Sequence, residues 1–297
     1  MINNADVSNL ICKTICERII QAHRNDETFR VFITVPLLAA MEGDIQSTEY
    51  NILLTMLHFL FSSLSRGSCS LIAHLREAGV EDPFKYLCIT SLRTCEELAG
   101  KLVSELIYVH AKFMIIDDLH VIIGSANIND RSLVGDRDSE LAFCITDKEF
   151  VKSKMNGKEY SAGKHALQMR QRCMSEHLGL LHGMRNSAST AEIDVSDPIS
   201  DSFFHGIWCK IAENNTNIFE DVFNVLPTNQ VKTFAELEKW SKKIPMSTSN
   251  PNEAKERLKS LTGNLVKFPL YFLEKENLNP VNYPSTPMGY LPTSLFV

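Results

Sequence analysis

One segment carries the residue types that phosphodiester chemistry needs: His110-Ala-Lys112, Asp117 after four intervening residues, then Gly124-Ser125-Ala-Asn127. A histidine and a lysine two apart on a strand point to the same face. That places a nitrogen able to act as nucleophile or acid–base beside a fixed positive charge. A glycine followed by small polar residues lets backbone and side-chain donors approach an anion closely. His110, Lys112, Ser125 and Asn127 can therefore surround one phosphate, with lysine and asparagine stabilising charge on its non-bridging oxygens. No metal and no other cofactor is needed for this chemistry, and no acidic cluster suited to magnesium lies near the segment.

These side chains need a strand, a turn and a returning strand. Read as one strand, Leu106 to Asp117 puts His110, Lys112, Met114 and Ile116 on one face and Val109, Ala111, Phe113 and Ile115 on the other. A strand apolar on both sides is central in its sheet. An unpaired buried lysine is costly, so Lys112 is expected near the strand end, facing a polar cleft. Asp117 falls on the opposite face, at the turn Asp117-Asp118-Leu-His120, and there reads as a structural acceptor. Val121 to Ile123 returns as the second arm of a hairpin, and Leu141 to Ile145 adds a strand.

Upstream, Leu10 to His23 has apolar residues at helical spacing, and Arg30 to Val35 reads as a buried strand closed by Pro36. Ile52 to Leu64 and Leu71 to Ala78 read as helices, the second with Gly79 in the C-cap position, and Tyr86 to Thr90 as a short strand. Strands alternating with helices predict an α/β layered lobe. Downstream, a helix is expected from His165 to Leu181, ending at Gly183, and then a loop from Arg185 to Ser196. Asp201 to Ala212 and Ile218 to Val225 are helical pieces. Thr233-Phe-Ala-Glu236 is a capping-box pattern, and Pro251 opens a helix that stops at Gly263. Phe268 to Phe272 and Pro280 to Val297 read as extended.

The chain has 297 residues, enough for a sizeable core, with 44% hydrophobic and 22% charged residues. A net charge of -6 argues against a general nucleic-acid coat. The eight cysteines include no Cys-x-x-Cys pair and read as reduced core residues. The polar start lacks a secretory pattern, and the apolar run Ile52 to Leu64 is too short to span a bilayer. A soluble protein with at most peripheral membrane contact is expected.

His110-x-Lys112-x4-Asp117 followed by Gly-Ser-x-Asn resembles the HKD signature of the phospholipase D superfamily. The longer string from Ile107 to Lys112, then Gly124-Ser-Ala-Asn-Ile-Asn-Asp-Arg-Ser132 and Arg137-Asp-Ser-Glu140, is similar to the second, C-terminal HKD motif of eukaryotic phosphatidylcholine-specific phospholipases D. Val35-Pro-Leu-Leu38 with Glu42-Gly-Asp44, Asn156-Gly-Lys-Glu-Tyr160, Asp197-Pro-Ile-Ser-Asp201 and Phe268-Pro-Leu-Tyr-Phe272 resemble the same enzymes, so the likeness covers nearly the whole chain.

The resemblance implies an α/β/α layered lobe with a mixed sheet over residues 1–186, and a mainly helical C-terminal extension, 187–297, packed on it. It implies hydrolysis or transphosphatidylation of phosphatidylcholine, giving phosphatidic acid and choline, on the cytosolic face of a membrane. A first-motif histidine would form a phosphohistidine. His110 would be the general acid/base, and Lys112 and Asn127 would be phosphate ligands. Ser125 would support the phosphate site, and Glu140 would orient the opposing histidine. Asp117 completes the motif and is counted with the catalytic set. Asp130, Arg131 and Asp138 are expected to fix the loop.

No other histidine has lysine two residues on, so only the second half-site is present. The expected source of the other half is a missing N-terminal half or a second copy of the chain in a homodimer. The remaining expectation is a catalytically inactive lipid-binding or regulatory fragment.

Overall fold

A computed structural model describes residues 1–2, 7–39, 44–45, 52–181 and 193–279. Glu42-Gly43, Gly183, most of the Arg185–Ser196 loop and the Pro280–Val297 end lie outside the described residues.

Strand β2 (Leu87–Leu98) organises the larger sheet. It runs parallel to β1 (Val31–Thr34) and antiparallel to both β3 (Lys101–Ile107) and β9 (Leu265–Lys267), so the sheet is mixed. Alternate side chains of a strand point to opposite sides, and β2 uses both. Leu87 and Ile89 enter a core with Ile19, Leu57, Phe61 and Leu75 of α1 (Ile11–Arg24), α2 (Ile52–Leu64) and α3 (Leu71–Glu77). Cys88, between them, faces Met174 of α5 (Lys164–His177) and Phe204, Trp208 and Ala212 farther along the chain. Helices on both sides of β2 give the α/β arrangement expected.

Local signals explain most of these helices. Ile11, Ile15 and Ile19 recur at helical spacing along α1. Ser70 caps α3 by accepting from the Ala73 amide at 3.3 Å, and Gly79 just past its end has φ of 92°. The Thr233–Glu236 capping box forms and starts α8 (Phe234–Ser241). The later helices also include α9 (Met246–Ser249) and α10 (Pro251–Leu258). Asp201 to Ala212 and Ile218 to Val225 are not separate. Instead α6 (Asp201–Phe203), a π-helical stretch (Phe204–Cys209) and α7 (Lys210–Phe223) form one run.

Several strand expectations are corrected. Tyr86–Thr90 is the beginning of a strand that continues to Leu98, because β3 and β9 supply partners on its flanks. The single strand expected from Leu106 to Ile116 is two: β3 ends at Ile107, and β4 (Lys112–Ile116) belongs to a different sheet. Tyr108 to Ala111 crosses between them. The segment Phe268 to Phe272 turns rather than extends, with Leu270 N–H bonded to Phe268 O and Phe272 N–H to Pro269 O. Helix α5 ends at His177, where Gly179 (φ 71°) stops it before the expected Gly183.

The second sheet is antiparallel, in the order β4, β5 (His120–Gly124), β6 (Ala142–Thr146). Its first turn places Asp117 and Asp118 at φ of 52° and 51°, a conformation aspartate tolerates. Asp118 is buried, and its carboxylate receives Arg170 Nε at 2.9 Å and Nη2 at 2.7 Å from α5. Each buried charge offsets the desolvation of the other. Asp147, just after β6, accepts from the His165 and Ala166 amides in the first turn of α5. These two aspartates fasten the sheet to α5. An unexpected hairpin, β7 (Phe150–Met155) and β8 (Lys158–Gly163), follows with Asn156-Gly157 at its turn. Among the described residues, no helix is long and apolar enough to cross a membrane.

Candidate active site

The close approach of three strands builds the site. Lys112, Gly124 and Ala142 lie side by side across β4, β5 and β6. A Cβ on Gly124 would lie 2.3 Å from Leu141 O, so only glycine allows β6 this near. Ser125 follows directly. Its amide donates to Leu141 O at 3.0 Å, and its Oγ accepts from the Leu141 amide at 3.0 Å and donates to Glu140 Oε2.

The other carboxylate oxygen of Glu140 receives Ser132 Oγ at 2.6 Å. Ser132 is held in the short helix α4 (Asp130–Leu133), whose N-cap Asn129 accepts from the Ser132 amide at 3.1 Å. The Ser125 hydroxyl, then the Ser132 hydroxyl, hold the Glu140 carboxyl below the usual glutamate range, and the Lys112 charge adds to this. Burial and the Asp138 charge act in the opposite direction, each more than Lys112 does.

His110 lies in the link that crosses between the two sheets, exposed, with its ring stacked on Tyr108 at 5.7 Å and 28° between planes. Lys112 opens β4, half-buried, and its Nζ donates to His110 O at 2.7 Å. The lysine is thus at the strand end, as expected. The histidine is outside the strand, so strand alternation is not what brings the pair together. Asn127 is exposed two residues beyond Ser125.

His110, Lys112, Ser125 and Glu140 therefore gather at one end of the second sheet. Asp117 does not join them. It sits at the opposite end of the β4–β5 hairpin, roughly 16 Å away at strand spacing, and its carbonyl oxygen accepts from Tyr160 Oη at 2.7 Å. Arg131 pairs with Asp138 at 3.2 Å within the loop. Asp130 reaches outside the loop, accepting from the Asn9 amide at 2.9 Å and from Asn9 Nδ2 at 2.6 Å.

Sequence reasoning missed Tyr108 and Ser132 as neighbours of the site. The spacing Asn129-x-x-Ser132 is a capping signal and marks α4; the Tyr108–His110 stack had no such signal. Among the described residues, no group of three or more His, Cys, Asp or Glu side chains is placed to hold a metal ion.

Fold and site together define an α/β lobe that presents a histidine–lysine pair beside a Gly-Ser-x-Asn strand end. The phospholipase D family model matches residues 2–196, and the chain belongs to that family. It is 43% identical to phospholipase D2 of Bos taurus and 42% identical to phospholipase D1 of Homo sapiens, each over 92% of this chain. It is 36% identical to phospholipase D zeta 1 of Arabidopsis thaliana over 93% of this chain. The matched region covers 28%, 25% and 27% of those relatives, so the chain spans about a quarter of their length.

Proposed function

We propose that this chain supplies the second half of a phospholipase D active site, cleaving phosphatidylcholine to phosphatidic acid and choline or transferring the phosphatidyl group to an alcohol. The observation that carries this reading is the cluster itself: an exposed histidine whose backbone carbonyl receives the Lys112 ammonium, at the end of a sheet where Ser125 and Glu140 are locked together. In the proposed reaction a histidine of the other half attacks phosphorus, and the bond to the choline oxygen breaks. His110 donates a proton to that oxygen as it leaves. It then takes a proton from water or an alcohol, whose oxygen displaces the first histidine from phosphorus. Lys112 and Asn127 bind the non-bridging oxygens as fixed donors. Ser125 supports them, and Glu140 orients the opposing histidine.

A partner half is required because the chain holds one His-x-Lys pair. The second sheet supports this, since Phe113, Ile123 and Phe143 line one face of it and are all exposed. That half comes from a longer polypeptide or from a second copy of this chain. We place the reaction on the cytosolic face of a membrane, through peripheral contact.

The chain, paired with a second copy or co-expressed with the upstream half, should release choline from phosphatidylcholine vesicles, and His110→Ala should abolish the release. Sizing in solution distinguishes the sources of the other half: activity with a dimer supports paired copies. Activity from a strict monomer overturns the need for a second half. No release even when the upstream half is co-expressed favours a lipid-binding or regulatory role.

A further inference from the structure

The loop that carries Ser132 and Glu140 has an anchor outside the cluster of site residues. Asp130 opens α4, and its carboxylate collects three N–H groups from the stretch just ahead of α1. The Ser8 amide donates to Oδ2 at 2.5 Å, while the Asn9 amide and Asn9 Nδ2 donate to Oδ1 at 2.9 and 2.6 Å. Asn9 Oδ1 in turn accepts from the Ile11 amide at the start of α1, at 3.4 Å. Helix α1 is rooted in the core through Cys16, Ile19 and Ala22, all buried. Hydrogen bonds to an ionised carboxylate are stronger than those between neutral groups. The donors lie 121 and 122 residues away from Asp130, so this tie exists only in the folded chain.

Within itself the loop is cross-linked. Arg131 pairs with Asp138 at 3.2 Å, the Asp138 amide donates to Arg131 O at 3.1 Å, and Ser132 Oγ donates to Glu140 Oε1 at 2.6 Å. Residues 130–140 are thereby bound to shift together. A helix as short as the four residues of α4 does not hold by its own hydrogen bonds, so tertiary ties set its place. The path ends at the site, where the other oxygen of Glu140 accepts from Ser125. A continuous series of contacts thus runs from Ser8 and Asn9 through Asp130, Ser132 and Glu140 to Ser125.

We propose that Asp130 is a positioning residue: by holding Ser8 and Asn9 it fixes Glu140 against Ser125, so the stretch ahead of α1 governs the geometry of the half-site. For turnover this rests on the reaction proposed above; for the placement of Glu140 it does not. Without the Asp130 carboxylate the three N–H groups turn to water and the loop loses its tie to α1. Glu140 keeps its bond to Ser132 and moves with it, away from Ser125. Lys112 is carried on β4 and bonded to His110 O, so the phosphate ligand stays where it is. What suffers is the orientation of the opposing histidine. Asp130→Asn keeps the size of the side chain but replaces one acceptor by a donor, which then faces an N–H of Ser8 or Asn9.

The test has two readouts on the full 297-residue chain. Amide hydrogen exchange, measured without substrate, should quicken at Ser132 and Leu141 in Asp130→Ala and in Asp130→Asn, while the amides of β2 keep their protection and show that both variants fold. Asn9→Ala should give a smaller rise and add nothing in the Asp130→Ala background. In the chain paired with its other half, Asp130→Ala should lower kcat for choline release by about ten- to a hundredfold with KM unchanged. Glu140→Gln should cost no more in that background. Unchanged exchange at Ser132 and Leu141, additive effects of the Asn9 and Asp130 variants, or a raised KM with kcat intact would each overturn the proposal. Should the paired wild-type chain release no choline, the phospholipase D reading fails, and exchange alone decides whether Asp130 places Glu140.

Discussion

The two principal sheets are built from similar apolar residues yet meet very different surroundings. Strand β2 is sheathed on both sides: Leu87 and Ile89 lie under α1 to α3, and Cys88 lies under α5 and the π-helical stretch. In the β4–β5–β6 sheet, Phe113 is 40% exposed, Ile123 38% and Phe143 63%, and on the opposite face Ile122 is also exposed. A set of apolar side chains this open marks a surface prepared for contact. It borders the His110–Lys112 cluster. One sheet holds the lobe together; the other displays its chemistry.

The largest effect that separates the two sheets is expected from a matched pair of truncations. Phe61→Ala empties a fully buried site in the core below β2 and should cost about 3–5 kcal/mol in urea denaturation. Phe143→Ala in the isolated monomer should change stability by about 0.5 kcal/mol or less. A Phe143→Ala loss that appears only as protein concentration rises would show a second copy covering that face. Equal losses in dilute monomer would break the comparison.

A smaller effect tests how closely the site end of the second sheet is packed. Gly124→Ala forces a methyl group onto Leu141 O and should destabilise by about 1–3 kcal/mol. Amide exchange should rise at Ser125 and Leu141, whose mutual hydrogen bonds depend on that approach. Unchanged protection at both amides would show that β6 can yield without loosening the site.

The smallest effect concerns acid. Burial, opposed only in part by Glu176, lowers the pKa of His177 at the end of α5 from its ordinary 6.5. A histidine depressed in the folded state contributes stability that is present above about pH 6.5 and lost as pH falls toward the folded value. The reason is that the unfolded chain accepts a proton the core refuses. The loss is at most about 1.4 kcal/mol per pH unit for one group. His177→Leu should flatten that slope in denaturation series just below neutrality; an unaltered slope would assign it to other groups.

Local signals in the chain were readable where one element settles its own conformation. The spacing of Ile11, Ile15 and Ile19 marked α1, and the Thr233–Glu236 box forms as its spacing predicts. Asp117-Asp118 made the hairpin turn visible, and the opposed Gly124-Ser125 showed where donors would cluster. The Asn156-Gly157 hairpin carried an equally plain signal, but that string was read only for its family likeness. Long-range partners were not legible. Nothing local in Leu87 to Leu98 announces twelve residues of strand, because β3 and β9 extend it from elsewhere. Nor did residues Leu106 to Ile116, mostly apolar, reveal that they divide between two sheets.

The amino-acid order alone determined that Lys112 and Ser125 would stand close together, since turn chemistry and a short hairpin need no distant help. Tertiary structure decided what those residues lean on. Glu140 is gripped by Ser125 and Ser132, and Asp118 by Arg170, across separations from eight to fifty-two residues. Such contacts depend on how folded elements pack in space, and the pattern of any one element carries no record of which stranger it will meet.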